Sequence, residues 1–217
     1  MSGFFDLPSD LQHSWSGLVG LHLREALLPV LAGLLISLPV AQLCVRFRWI
    51  YPPVLGVATV LYAIPSLAFF VVLIDYFGQS ETTVMIPLAL YSLVVLVPAI
   101  VDGVRSVPPE TLAAAQAMGF GAVRRYFQVQ LPIAVPAIIA GLRVATVSSI
   151  SLVSVGMLIG NQGALGNMLY DAQTYHRPAL AVNAVLTIAV LGILADTALV
   201  VVRRLLTPWM PRKGAAG

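Results

Sequence analysis

A few polar residues lie inside long apolar stretches, where their chemistry would matter most. Within the five stretches defined below, Asp196 is the only acid, and Arg143 and Asn183 are further polar candidates. A charge inside a membrane is costly, so it normally faces the protein interior and finds a partner. We expect Asp196 to pair with Arg143, or with Arg203 about two turns along its own helix. A packing role for this pair is favoured over contact with a solute.

Motifs of enzyme active sites are absent from the sequence. His13, His22 and His176 are scattered, without the H-E-x-x-H spacing of a zinc site, and we interpret them as isolated surface histidines. The nucleophile elbow G-x-S-x-G is missing as well. Lys213 is the single lysine and lies outside any phosphate-binding loop of the form G-x-x-x-x-G-K-[ST]. The chain is therefore predicted not to be an enzyme, and in particular not an ATPase.

Composition identifies the environment in which these residues work. Of 217 residues, 59% are hydrophobic and 10% are charged, whereas a soluble domain carries about 25% charged residues. This excludes an ordinary soluble protein. The formal net charge of +3 comes without a concentrated basic stripe, so nucleic acid is not an expected partner. We interpret residues 1–217 as one integral-membrane domain in contact with the lipid bilayer.

Five stretches are apolar and long enough to cross a bilayer as helices. Apolar residues 133–142 precede the fourth stretch and are expected to lead in obliquely from the interface. Placing the amino terminus outside and the carboxyl terminus inside puts nine of the twelve basic residues in cytoplasmic segments, as membrane proteins prefer. The predicted fold is all-α and multi-pass, with spans at residues 26–45, 54–74, 84–101, 143–160 and 180–202.

Residues 102–132 form a long cytoplasmic loop with helical pattern. Pro108 and Pro109 suit the start of a helix over residues 110–119, and Gly119 suits its end. A second helix is predicted over 121–130, basic on one side and aromatic on the other, ending before Pro132. An amphipathic surface anchor is one interpretation of this helical hairpin. The alanines of its first helix favour a second interpretation, in which the hairpin is a docking element that another protein's backbone can approach closely.

Two parts of this loop resemble a known signature. The run AAAQAMG at 113–119, followed after nine residues by VQLP at 129–132, resembles the cytoplasmic motif of permease subunits of binding-protein-dependent ABC importers. That motif reads EAA, three residues, Gly, nine residues, then Ile-x-Leu-Pro, and its glutamate falls at Ala113. Four further segments resemble the branch that imports glycine betaine, carnitine, choline or proline: YAIPSL at 62–67, YSL at 91–93, LPIAVPAIIAGLR at 131–143 and LIGNQGALG at 158–166.

The resemblance implies a fold, a location and a set of partners. It implies the type I ABC importer permease fold in the cytoplasmic membrane of a prokaryote, paired with an identical or different second permease subunit. Separate ATPase subunits would bind ATP and magnesium, so this chain would need no cofactor. An extracytoplasmic solute-binding protein would deliver the compatible solute. The residues implied to couple to the ATPase are Glu110, Ala113, Ala114, Ala115, Gly119, Leu131 and Pro132.

We assign selection of the solute to the external binding protein. Quaternary ammonium ligands are recognised by aromatic cages, and the predicted spans show no clustered set of tryptophan and tyrosine. A different feature, the four-residue spacing of Gly33, Ser37 and Ala41, predicts a small-residue face for helix packing.

Two other functions remain as alternatives. An ion-gradient-driven secondary transporter or channel would explain the spans, and inverted repeats with ion ligands at mid-membrane would support it. Neither feature is evident in the sequence. A membrane-bound structural or assembly factor would also explain the spans, but it leaves the cytoplasmic hairpin unexplained.

Overall fold

The computed structural model describes residues 9–159 and 164–209, with side chains from Trp15 onward. The α-helices of the described residues are α1 Ser9–Arg46, α2 Tyr51–Ala63, α3 Ser66–Phe77, α4 Glu81–Arg105, α5 Pro109–Ala117, α6 Ala122–Arg125, α7 Leu131–Val153, α8 Gly166–Thr174 and α9 Pro178–Leu206. A π-helical turn, Tyr126–Gln130, precedes α7, and a 3-10 helix, Ser154–Ile159, follows it.

Four helices of the described chain are long and apolar enough to cross a membrane. They are α1 from Trp15, α4, the continuous helix Ala122–Ile159 and α9. The predicted second span is instead a bent pair, because α2 and α3 meet at an angle of 91°. Pro65 causes this break: it disfavours helical backbone in the preceding residue, and Ile64 is extended with φ −71° and ψ 122°. The predicted span over 54–74 is thus made of two helices with a break at Pro65.

The bent pair still crosses the helix bundle from one end to the other. Helices α1 and α4 run parallel, because they touch at both ends in the same chain order. Arg24 Nη2 lies 3.5 Å from Glu81 Oε2 at one end, and Arg105 donates a hydrogen bond to the Cys44 carbonyl at the other. Two parallel helices need a connection that returns the chain across the full height. Helices α2 and α3 supply it, which gives five crossings in the described residues.

The residues before the predicted fourth span belong to the same helix as the span. Helix α7 runs without a break from Leu131 through Arg143, so residues 133–142 continue directly into it. This part of α7 packs closely against α4. A Cβ on Gly141 would lie 2.6 Å from the Ala99 Cβ, and one on Gly103 would lie 2.9 Å from the Ala137 Cβ. Such backbone proximity fixes the first half of α7 against α4.

Packing of α1 against α4 follows the predicted small-residue face. Gly33, Ser37 and Ala41 are all buried, and a Cβ on Gly33 would lie 2.7 Å from the Ser92 Cβ. Helix α9 runs parallel to α1, because Leu180 shares an apolar cluster with Leu18 near the start of both helices. We call the end where α1, α4 and α9 finish the basic end. Its described arginines include Arg46, Arg105, Arg124, Arg125, Arg203 and Arg204.

Candidate functional site

Helix α5 protrudes at the basic end and corresponds to the predicted 110–119 helix. It begins at Pro109, where a missing backbone N–H costs nothing, and Glu110 lies in its first turn beside the positive end of the helix dipole. The helix ends at Ala117. Gly119 then adopts φ +82°, a left-handed conformation that side chains rarely tolerate, which accounts for the stop. The predicted start and end are correct to within two residues.

The alanines of α5 divide between an inner and an outer surface. Ala115 is buried at 2% exposure and anchors the helix on the bundle, whereas Ala113 and Ala114 are exposed. Glu110, Gln116 and Gly119 are exposed as well, and Met118 is 68% exposed. The outer surface therefore consists mostly of small, uncharged side chains, with one large apolar side chain at its border. Such a surface suits a groove on another protein better than it suits lipid.

The second arm of the hairpin is continuous with a membrane-crossing helix. Helix α6 passes through the π turn into α7, and Leu131 donates its N–H to the Tyr126 carbonyl five residues back. The prediction that Pro132 ends this arm is wrong. Pro132 lies in the first turn of α7, where the widened hydrogen-bond pattern of the π turn accommodates a residue without a backbone donor. Leu131 and Pro132 are half-buried at this junction.

One side-chain hydrogen bond joins the two arms of the hairpin, and further contacts lie within the second arm and the turn. Arg125 Nη1 donates to Gln116 Oε1 at 3.3 Å, which joins α6 to α5. Arg124 Nε donates to Gln128 Oε1 at 2.8 Å, and its guanidinium lies 4.1 Å from the centre of the Phe120 ring. These contacts limit the movement of α5 relative to the long helix Ala122–Ile159.

The aromatic side predicted for the second arm is not a single surface. Tyr126 is buried at 7% exposure, whereas Phe127 is 61% exposed, and their rings lie 5.0 Å apart in an edge-to-face contact. A lipid anchor would expose both rings. The arrangement leaves one ring in the protein and one outside it.

Deeper in the bundle, α7 and α9 are joined by an ion pair. Arg143 Nε donates to Asp196 Oδ1 at 2.6 Å and Arg143 Nη2 donates to Asp196 Oδ2 at 2.8 Å, so the pair is bidentate. Asp196 lies seven residues before Arg203, about 10 Å of helix from the arginines in the last turn of α9. Of the two predicted partners, the structure brings Arg143 to Asp196.

Asn183 does not belong to this pair. It is thirteen residues before Asp196 on α9, about 20 Å along the helix axis. Its backbone carbonyl accepts a hydrogen bond from the Thr187 hydroxyl at 2.7 Å, a contact within one turn of the helix. The structure gives Asn183 a local position on α9, separate from the two charges.

Two buried ionisable residues were missed at the opposite end of the bundle. His22 is fully buried and its Nε2 lies 2.9 Å from the Ile150 carbonyl, so its interpretation as a surface histidine is wrong. Glu25 is also fully buried and lies within the crossing helix, so Asp196 is not the only acid in the spans. The sequence contained a signal, because His22 and Glu25 are three residues apart and share one face of a helix that begins before residue 26.

Comparison with known proteins gives a consistent family. Residues 29–212 match the family model described as the binding-protein-dependent transport system inner membrane component. The chain is 32% identical to the osmoprotectant import permease protein OsmW of Salmonella typhimurium over 192 residues, which cover 86% of this chain and 89% of that protein. It is 29% identical to the glycine betaine/carnitine/choline transport system permease protein OpuCD of Bacillus subtilis, covering 89% and 84% of the two chains.

The fold has a solved counterpart as well. A structure described as an inward-facing conformation of the MetNI methionine ABC transporter superposes with a TM-score of 0.82, covering 93% of this chain and all of the other, at 17% sequence identity. This similarity confirms the predicted all-α importer permease fold. From the matched residues and the coverage of both relatives, the chain belongs to the family of inner membrane components of binding-protein-dependent transport systems.

Proposed function

We propose that the chain is the permease subunit of an ATP-driven importer for a compatible solute: glycine betaine, choline, carnitine or proline. Its relatives are named as permeases for osmoprotectants and for glycine betaine, carnitine and choline, which supports this class of solute. The permease belongs in the inner membrane of a prokaryote, with the amino terminus outside and the basic end in the cytoplasm. Family membership favours this function over an ion-gradient-driven transporter or channel.

The observation that carries the proposal is the join between α5 and the long helix Ala122–Ile159. An exposed, alanine-rich helix is joined through Arg125 and Gln116 to a helix that is long and apolar enough to cross the membrane and that carries Arg143. A protein that moves α5 therefore moves the crossing helix with it, as a lever. The partner we propose for α5 is a separate ATPase subunit that binds ATP and magnesium. This subunit contacts Glu110, Ala113, Ala114 and Gly119.

Two further partners complete the proposed importer. A second permease subunit, identical or different, would enclose the solute path together with this chain. Much of α9 is apolar and exposed in the single chain, including Ile193 at 65% and Leu194 at 60%, so this helix has a surface for lipid or for the second permease. A solute-binding protein would dock at the opposite end of the bundle and deliver the solute.

We expect proteoliposomes that contain this permease, its ATPase subunit and its binding protein to take up radiolabelled glycine betaine or choline only with ATP. Replacing the lysine in the phosphate-binding loop of the ATPase subunit is expected to abolish uptake, because the permease only transmits the free energy of hydrolysis. The measurement is labelled solute retained on filters with and without ATP. Uptake that continues without ATP and follows an imposed ion gradient would instead support the secondary transporter.

A further inference from the structure

A cavity of about 610 Å³ lies at the bend between α2 and α3, where it meets α4 and α7. Tyr91, on its wall, lies ten residues after the start of α4, about 15 Å of helix and near mid-depth. None of the described residues that line the cavity carries a formal charge. Its lining combines aliphatic side chains with two tyrosines, Tyr62 and Tyr91, and with serines from three helices, Ser66, Ser92, Ser148 and Ser151.

Aromatic rings form one wall of this cavity. The Tyr62 and Tyr91 rings lie 6.5 Å apart at an interplanar angle of 83°, and the Phe69 ring lies 6.1 Å from that of Tyr91, measured between ring centres. The sequence did not reveal this cluster, because its three members are separated along the chain and meet only through the bend at Pro65. The expectation that the spans show no clustered set of tryptophan and tyrosine is wrong, because the Tyr62 and Tyr91 rings are in contact.

The bend itself holds the rings in place. Tyr91 Oη donates a hydrogen bond of 2.8 Å to the Ile64 carbonyl, which the break before Pro65 leaves without its usual helical partner. The hydroxyl of Tyr91 therefore has a structural use, and its ring is fixed against the segment that carries Tyr62. Tyr62 is 67% exposed in the single chain, so its ring is accessible from the open side of the cavity.

Helix α7 provides further polar groups to the lining of the cavity. Ser148 and Ser151 line it and are exposed, whereas Ser149 donates its hydroxyl to the Ala26 carbonyl at 2.8 Å and packs α7 against α1. The serines of α7 thus have different tasks. Ser148 and Ser151 line the same cavity as the two tyrosines.

We propose that this cavity is a transit site in which the permease itself contacts a quaternary ammonium solute. The Tyr62 and Tyr91 rings contact the trimethylammonium group, and Ser148 and Ser151 hydrogen-bond the hydroxyl or carboxylate end. A quaternary ammonium has no N–H to donate, so aromatic faces suit it better than carbonyl or carboxylate acceptors do. A neutral lining also avoids holding the solute so tightly that transport stops. The assignment rests on the proposed import of a compatible solute.

The test compares variants of Tyr62 in the reconstituted importer, with choline and glycine betaine as probes. At saturating loaded binding protein, Tyr62→Leu is expected to lower the uptake rate by about tenfold, the size of one lost cation–π contact. Tyr62→Phe keeps the ring and is expected to stay within about twofold of wild type. Tyr76→Leu is the matched control, since Tyr76 is 78% exposed on α3 and does not line the cavity.

ATP hydrolysis without solute, measured on the same preparations, reports assembly and is expected to be equal in all four proteins. Equal uptake by wild type and Tyr62→Leu would overturn the transit site while leaving the proposed function intact. Equal loss in Tyr62→Phe and Tyr62→Leu would also overturn it, because the ring would then not be the group that matters. Failure of wild type to take up either probe would overturn the transit site for quaternary ammonium solutes, and failure with carnitine and proline as well would overturn the proposed function.

Discussion

Replacing Gly119 with alanine is expected to reduce ATP-driven uptake by about tenfold, because alanine disfavours the left-handed backbone by about 1–2 kcal/mol. Gly119 has φ +82°, and a Cβ at this position would meet no atom within 4 Å. The penalty is therefore one of backbone conformation and not of crowding. Relief of that strain turns α5 relative to α6 and displaces Ala113 and Ala114 from the surface proposed to meet the ATPase subunit. Uptake and copurification of the ATPase subunit measure the two consequences.

Gly121 provides the matched control for this substitution. It lies two residues further on, has an ordinary φ of −64°, and a Cβ there would also meet nothing within 4 Å. Gly121→Ala is expected to leave uptake within about twofold of wild type, since alanine adopts that backbone region readily. Similar uptake by the two alanine variants would contradict a role for the turn at Gly119 in coupling.

Removing one charge of the Arg143–Asp196 pair is expected to lower the amount of folded permease in the membrane by roughly tenfold. In Arg143→Leu or Asp196→Leu, the remaining side chain keeps its charge within a crossing helix without the bidentate contact that now joins α7 to α9. The double variant carries neither charge and is expected to recover most of the loss. Size-exclusion profiles of detergent extracts report the folded fraction of each protein.

The double variant also separates packing from solute contact. If the pair only joins α7 to α9, the importer containing Arg143→Leu with Asp196→Leu is expected to assemble and to retain uptake. Single variants as abundant as wild type, or a double variant no better than either single one, would show that the two charges do not stabilise each other.

Local pattern predicted the helices of this protein well where one helix decides its own ends. Pro109 and Gly119 bracket α5 in the structure as they do in the sequence, since both act through their own backbone. Hydropathy likewise located the spans, because burial in lipid requires apolar residues regardless of the neighbouring helix. The pairing of Asp196 with a basic residue followed from the cost of an isolated charge, although the choice of Arg143 over Arg203 required the structure.

Features that depend on contacts between helices could not be predicted from one sequence. Pro65 breaks the second crossing while Pro136 lies inside the unbroken helix α7, and the neighbours of each residue decide the difference. The cluster of Tyr62, Phe69 and Tyr91 depends on that break and on a hydrogen bond to Ile64. Burial of His22 depends on the approach of α7 to α1 through the carbonyl of Ile150.

Labelling at Ala114 tests most directly whether α5 lies in the cytoplasm and binds an ATPase subunit. Ala114 is exposed on α5, and Cys44, the single natural cysteine, is buried. A membrane-impermeant maleimide is applied to Ala114→Cys in inverted and right-side-out vesicles. Tyr76→Cys at the opposite end, where α3 finishes, serves as the control for sidedness.

We predict that Ala114→Cys is labelled only in inverted vesicles and that the bound ATPase subunit blocks this labelling, while Tyr76→Cys is labelled only in right-side-out vesicles. Labelling of Ala114→Cys from the outside would show that α5 is not cytoplasmic, and labelling that the ATPase subunit leaves unchanged would show that the subunit does not bind there.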